Sequence, residues 1–198
     1  MNLAVIDYGA ANLASVMFAL ERLEVQVNLT TDVEEISAAD RVLFPGVGAA
    51  KSSMDSIQRL DLAGCIKSLK QPVMGICMGM QLLFQSSEEG DVDMLGIIDD
   101  QIKHFDKSET LSIPHMGWNT IDINNNIPLL NGLDEQSHFY FVHSYYAPLS
   151  DYTLASCDYA NKFSAIIQKD NFYGCQFHPE KSGANGAKIL ENFIKGDL

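Results

Sequence analysis

Cys77 lies in Gly75-Ile76-Cys77-Met78-Gly79, a G-x-C-x-G run inside an almost wholly apolar stretch. It follows a strand-like segment and opens a helix-like one, which is the setting of a nucleophile elbow. Glycines on both sides relieve backbone crowding at such a turn. A helix N-terminus behind the thiol would favour the thiolate, the reactive form. Taken alone, a cysteine in an apolar run reads at least as well as an inert core residue. A nucleophile also needs a base and a group to orient that base. The segment "QFHPEKS" (Gln176 to Ser182) offers both, with His178 and Glu180 two positions apart. Pro179 fixes its own φ and drives His178 toward extended geometry. Residues i and i+2 of an extended chain share a face. The carboxylate can then brace one imidazole nitrogen while the other reaches the thiol. The same ring can later protonate a leaving amine. Either motif alone has a bland reading, a buried cysteine or a surface His-Pro turn. Together they point to a Cys–His–Glu triad. His104 and His138 stand in polar or mixed surroundings, and His115 and His143 lack an acid at this spacing.

A third segment, "LFPGVGAA", places Pro45-Gly46-Val47-Gly48 at the end of a strand-like run. Glycines on both sides of Val47 let the peptides there take unusual geometry. Such a loop could aim the Val47 N–H at a tetrahedral intermediate, with the Met78 N–H as second donor. The bland alternative is a strand-ending turn. No G-x-G-x-x-G or Walker A pattern occurs, so no nucleotide site is expected.

The elements that must hold these residues alternate. Asn2–Asp7, Val25–Thr30, Arg41–Gly46 and Pro72–Cys77 read as strands. Between them, Asn12–Leu23 has apolar residues at helical spacing, with Asn12 as the expected N-cap, and Ser52–Leu60 and Leu62–Lys70 are also helical. "MGMQLLFQSSEE", Met78 to Glu89, reads as a helix. Alternation of this kind implies βαβ units: an α/β fold with a mostly parallel central sheet flanked by helices. The second half changes to short strand-like runs separated by Asn, Asp, Gly and Pro clusters, which suggests added antiparallel or mixed strands. An amphipathic helix around Gly186–Gly196 follows. No repeat, linker or low-complexity segment appears, so residues 1–198 are expected to form one domain.

With 198 residues, 46% hydrophobic and 20% charged, the composition is that of an ordinary globular chain. A formal net charge of −13 argues against nucleic acid and against acidic membrane surfaces as partners. No basic leader-like segment and no membrane-length apolar run is read, so the cytoplasm is the expected location. Cys65, Cys77, Cys157 and Cys175 show no CxxC spacing. Neither zinc nor disulfides are expected.

Taken together, "PGVG", "GICMGMQLL" and "QFHPEKS" resemble the class I glutamine amidotransferases. "DYGAAN", "PHMGWN" (Pro114 to Asn119) and "YFVHSYY" (Tyr140 to Tyr146) narrow this to the glutaminase subunits of imidazole glycerol phosphate synthase. The matched segments run in order from Asp7 to Ser182. The resemblance implies Cys77 as nucleophile, His178 as base and acid, and Glu180 as orienter. It implies substrate contacts from Gln81, from the backbone near Gly46 and from the backbone of His143-Ser144-Tyr145. It implies no metal and no organic cofactor. It also implies a separate (β/α)₈ cyclase subunit, in a heterodimer, that receives the ammonia. Trp118 and Lys181 are the expected contacts with that partner; a core position is the alternative for Trp118. Two residues depart from the family pattern: Ala11 replaces the usual second glycine of DYGxGN, and Ala50 stands where a phenylalanine is common. The loop at Gly46–Gly48 is expected to be misaligned in the free subunit and aligned when the partner binds its ligand. A glutaminase serving pyridoxal phosphate synthesis is a weaker fit, because that family reads PGGES at this loop. A non-catalytic binding module and a serine hydrolase fit less well still, given the intact triad and the absence of a matching GxSxG.

Overall fold

A computed structural model describes residues 1–9, 12–106, 110–123 and 127–198. Ala11, one of the two departures, lies outside the described residues. The strands in chain order are β1 (Leu3–Ile6), β2 (Val27–Thr30), β3 (Arg41–Gly46), β4 (Val73–Cys77), β5 (Phe84–Ser87), β6 (Val92–Asp93) and β7 (Ile98–His104). Then come β8 (His115–Thr120), β9 (Asp122–Ile123), β10 (His138–His143), β11 (Tyr145–Tyr146), β12 (Thr153–Asp158), β13 (Lys162–Lys169) and β14 (Phe172–Cys175). The helices are α1 (Leu13–Arg22), α2 (Val33–Ala38), α3 (Ala50–Arg59), α4 (Leu62–Ser68), α5 (Met78–Gln81) and α6 (Gly183–Lys195).

The main sheet runs β2-β1-β3-β4-β14-β13-β12-β9. The first five of these strands pair in parallel, and β13, β12 and β9 extend the sheet antiparallel. Four further strands form β11-β7-β5-β6, and β10 pairs with β8. The expected parallel core with antiparallel and mixed additions is therefore present.

Alternation along the central strands feeds two cores, one on each face, as a sheet covered on both sides requires. Leu3, Val5, Leu43, Met74 and Ile76 face α1 and α6, meeting Val16, Leu20, Leu190 and Phe193. Ala4, Ile6, Val42, Phe44 and Val73 face α2, α3 and α4, meeting Ile36, Ile57 and Ile66. No described helix is long and apolar enough to cross a membrane.

Three local expectations need correction. The helix after Cys77 is one turn, Met78–Gln81, and the chain re-enters a sheet at Phe84. A run that is apolar at nearly every position does not distinguish helix from buried strand. Leu82, Leu83 and Phe84 are all buried, and β5 gains ladder partners in β7 and β6. Asn12 precedes α1 but makes no capping side-chain bond. The unforeseen α2 has the stronger cap, since Asp32 accepts from Glu34 N and Glu35 N at 2.7 and 3.2 Å.

Candidate active site

The parallel strands bring the chemistry together at their carboxyl ends, where open α/β sheets place their binding crevices. β3 ends at Gly46, β4 ends at Cys77, and β14 runs into His178, with β4 neighbour to both other strands. Gly46 and Cys77 are register partners. Residues far apart in sequence thus leave adjacent strands side by side.

Cys77 takes φ 53° and ψ −111°, a conformation rare for any residue with a side chain. The turn breaks the alternation of β4. Val73 belongs to one core and Met74 and Ile76 to the other, yet Cys77 joins Ile76 on its side. This is the elbow geometry expected from G-x-C-x-G. The glycines, however, serve close approach rather than turn geometry. A Cβ on Gly79 would collide with the Phe44 carbonyl oxygen, and one on Gly75 would come within 2.6 Å of the Gly79 and Met80 backbone.

His178 is 2% exposed, and its Nδ1 bonds Glu180 Oε1 at 2.7 Å. The bracing arises differently from the expected extended i, i+2 pair. His178 is extended, but Pro179–Lys181 is a short 3-10 turn that carries Glu180 back onto the ring. The turn is anchored on β10: His178 N donates to Tyr140 O and Tyr140 N donates to Ser182 Oγ, each at 2.9 Å, while Ser182 Oγ donates to His178 O at 2.7 Å within the turn. Burial alone would push the imidazole down. Hydrogen bonds to Cys77 and Glu180, reinforced by the charges of both, outweigh burial and raise His178 to about 10. Both neighbours favour the protonated ring, which sits between the Cys77 sulfur and the Glu180 carboxylate.

Cys77 and His178 meet at a cavity of about 350 Å³, within the range of small-ligand pockets, with Glu180 behind the ring. Cys77, His178, Met78, Gln81, Val47 and the segment His143-Ser144-Tyr145 all line it. Gly46 does not; it packs behind the wall against the Tyr8 hydroxyl, Met78 and Gly79. Met78 opens α5, so its N–H has no acceptor within the helix. Gly48, beside Val47, sits at φ 96°, where a side chain would be strained. Gln81 Nε2 donates to Tyr145 O and to Gln176 Oε1, each at 2.9 Å, and Gln176 Nε2 reaches Cys77 Sγ at 3.8 Å. Gln81 Oε1 is buried and without a hydrogen-bond partner among the described residues.

Glu89, Pro114 and Val142 also line the cavity and were not foreseen. Glu89 lies between β5 and β6, and its Oε2 accepts from the Ala50 N–H at 2.7 Å, holding the start of α3. Ala50 thus fills a fully buried position where the family often has phenylalanine. Its sequence neighbours Ser87 and Glu88 gave no signal that a carboxylate there faces a site. Trp118 is 56% exposed and Met116 63% exposed on β8, which removes the core alternative for the tryptophan. Lys181 is exposed beside the triad and has no ion-pair partner among the described residues.

A family model described as glutamine amidotransferase class-I matches residues 4–196. The chain belongs to the class-I glutamine amidotransferases. Among curated members of this family, "Imidazole glycerol phosphate synthase subunit HisH" of Bacteroides thetaiotaomicron is 50% identical over 196 residues, covering 98% of this chain and 99% of the relative. The protein of the same description from Colwellia psychrerythraea is 46% identical, covering 98% and 92%. A solved structure described as a glutamine amidotransferase superposes with TM-score 0.74 at 14% identity, over 97% of this chain and 96% of its own, a likeness of fold. The amidotransferase fold and the α/β layout read from the sequence therefore agree.

Proposed function

We propose that this chain hydrolyses L-glutamine to glutamate and ammonia and hands the ammonia to a separate cyclase subunit, as one half of an imidazole glycerol phosphate synthase. The observation that carries the reading is the 2.7 Å bond that holds His178 over the cavity occupied by Cys77.

Cys77 Sγ attacks the side-chain amide carbon of glutamine, with its proton on His178. The oxygen becomes an oxyanion that accepts hydrogen bonds from the N–H groups of Val47 and Met78. Loss of one such donor typically costs about 10²–10³ in rate. The C–N bond then breaks as His178 protonates the departing nitrogen, releasing ammonia and leaving a γ-glutamyl thioester. His178 next deprotonates a water, which attacks the thioester, and glutamate leaves as the thiol is restored. Glu180 fixes the ring in the orientation that serves both steps. The substrate's α-ammonium needs an acceptor. Glu89, an acidic side chain at the cavity wall, and the unpartnered Gln81 Oε1 both suit it. No metal or organic cofactor enters this scheme.

Ammonia released into water is protonated and lost as a nucleophile, so the acceptor must dock against this cavity. The partner in this reading is a (β/α)₈ cyclase that adds ammonia to a phosphoribulosyl-formimino intermediate, giving imidazole glycerol phosphate and an aminoimidazole carboxamide ribotide in histidine biosynthesis. The exposed side chains of Trp118, Met116 and Lys181 support that contact. Residues 1–198 are taken as one domain acting in the cytoplasm. The test is glutamine-dependent ammonia release with and without the cyclase and its ligand. Cys77→Ala is expected to abolish it, and activity surviving that change would reject Cys77 as nucleophile.

A further inference from the structure

Two buried histidines play no part in the chemistry above. His115 is 3% exposed and His143 is 7% exposed. Their rings belong to a chain of hydrogen bonds that ends at the cavity. His143 Nδ1 lies 2.8 Å from Tyr145 O, and His115 Nδ1 lies 3.2 Å from His143 Nε2. Asn119 Nδ2 lies 3.5 Å from His115 Nε2 and also donates to Asp158 O at 3.0 Å.

The direction of this chain follows from donor and acceptor types. A carbonyl only accepts, so His143 Nδ1 carries the hydrogen. Burial holds both rings well below the ordinary histidine value, His143 at about 3 and His115 at about 4, so both are neutral at physiological pH. A neutral ring has one donor and one acceptor. His143 Nε2 is therefore bare, His115 Nδ1 must donate to it, and His115 Nε2 accepts from Asn119. The Asn119 amide cannot turn over, because its Oδ1 accepts from Thr120 N at 2.9 Å. His115 is also clamped between the Tyr159 ring at 3.9 Å and the Phe141 ring at 4.8 Å, both stacked on it.

Tyr145 O accepts from His143 on one side and from Gln81 Nε2 on the other, so both lone pairs are used. The second Gln81 hydrogen goes to Gln176. Gln81 then has one remaining polar atom, the buried Oε1, which has no partner among the described residues and belongs to a side chain that lines the cavity.

We propose that His115 and His143 are positioning residues: a one-way relay from Asn119 pins the Tyr145 carbonyl and, through it, presents Gln81 Oε1 to the glutamine substrate. The inference rests on the glutaminase reading for its kinetic consequence, but its geometry stands independently. Because Gln81 contacts the substrate away from the bond that breaks, loss of the relay weakens substrate binding more than it slows chemistry.

Two side-chain amides separate the relay from a mere core role. In His143→Asn the amide nitrogen takes the place of Nδ1 and keeps the bond to Tyr145 O. In His143→Gln it takes the place of Nε2 and loses that bond. With the cyclase present, His143→Gln is expected to raise KM for glutamine about tenfold with kcat within about twofold of wild type, and His143→Asn to keep KM within about twofold. Equal KM values in the two variants overturn the relay. A second measurement needs no variant. Imidazole ¹⁵N shifts of the wild-type protein are expected to report the Nδ1–H tautomer at both His115 and His143. The Nε2–H tautomer at either ring overturns the proposal. A wild-type chain that releases no ammonia from glutamine even with the cyclase and its ligand present would instead remove the glutaminase reading, and the tautomers would still decide the relay.

Discussion

Cys77 holds φ 53° with a Cβ attached, a conformation that costs about 1–3 kcal/mol in a residue other than glycine. Glycine in a strand end normally destabilises. Here Cys77→Gly is expected to be more stable than Cys77→Ala by about 1 kcal/mol or more, measured by urea unfolding, though both lack activity. Tyr8 illustrates a second residue-scale cost. Its hydroxyl is buried beneath Gly46, and among the described residues neither it nor the Ser53 hydroxyl has a hydrogen-bond partner. Tyr8→Phe is expected to leave stability unchanged or raise it by up to about 1 kcal/mol, because no bond is broken and a desolvated group is removed. The histidines set opposing pH dependences. His115 and His143 are lowered by burial from 6.5 to about 4 and about 3, so their contribution is complete above about pH 6.5 and is lost as the pH falls through that span. His178 is raised, so its contribution is complete below pH 6.5 and is lost as the pH rises toward about 10. The urea midpoint of the wild type is therefore expected to fall between pH 6.5 and 4 more steeply than that of His143→Asn.

Among the elements, β3, β4 and α5 meet with no space for a methyl group at Gly79. The obstruction is the Phe44 backbone, which cannot move aside as a side chain could. Gly79→Ala is expected to cost about 3 kcal/mol by urea unfolding, and to lower activity by moving Cys77 relative to the Gly46 loop. This also marks the limit of what was legible in the sequence. The proposed triad could be picked out because each member sits in a short motif whose residue types have few other uses, and the structure brings His178 and Glu180 together. The parallel core could be read because Leu3–Ile6, Arg41–Gly46 and Val73–Cys77 are apolar runs bounded by turn residues. The strand β5 was hidden because Leu82, Leu83 and Phe84 are apolar with no period to distinguish them from a helix. Glu89 was hidden because its role comes from the β5–β6 turn folding back over Ala50, a tertiary fact with no local sequence mark.

The whole molecule has a formal net charge of −13, yet β8 shows solvent two large apolar side chains, Met116 and Trp118. On the same strand His115 is buried and Asn119 half-buried, facing the relay. One strand thus separates an outward face from a face tied to the cavity. Trp118→Ala is expected to weaken binding to the cyclase about tenfold or more, measured by titration, while changing the stability of the free chain by less than about 0.5 kcal/mol. Loss of stability without loss of binding would move Trp118 from the interface to the fold.

The order of the main sheet places β14 beside β4, so the strand that delivers the base is among the last to be threaded into place. During synthesis the thiol of Cys77 emerges from the ribosome long before residue 178 has been joined to the chain. In the proposed mechanism, a nascent or prematurely terminated polypeptide therefore carries the attacking atom with nothing to accept its proton. A chain that stops before residue 178 is expected to release no ammonia from glutamine.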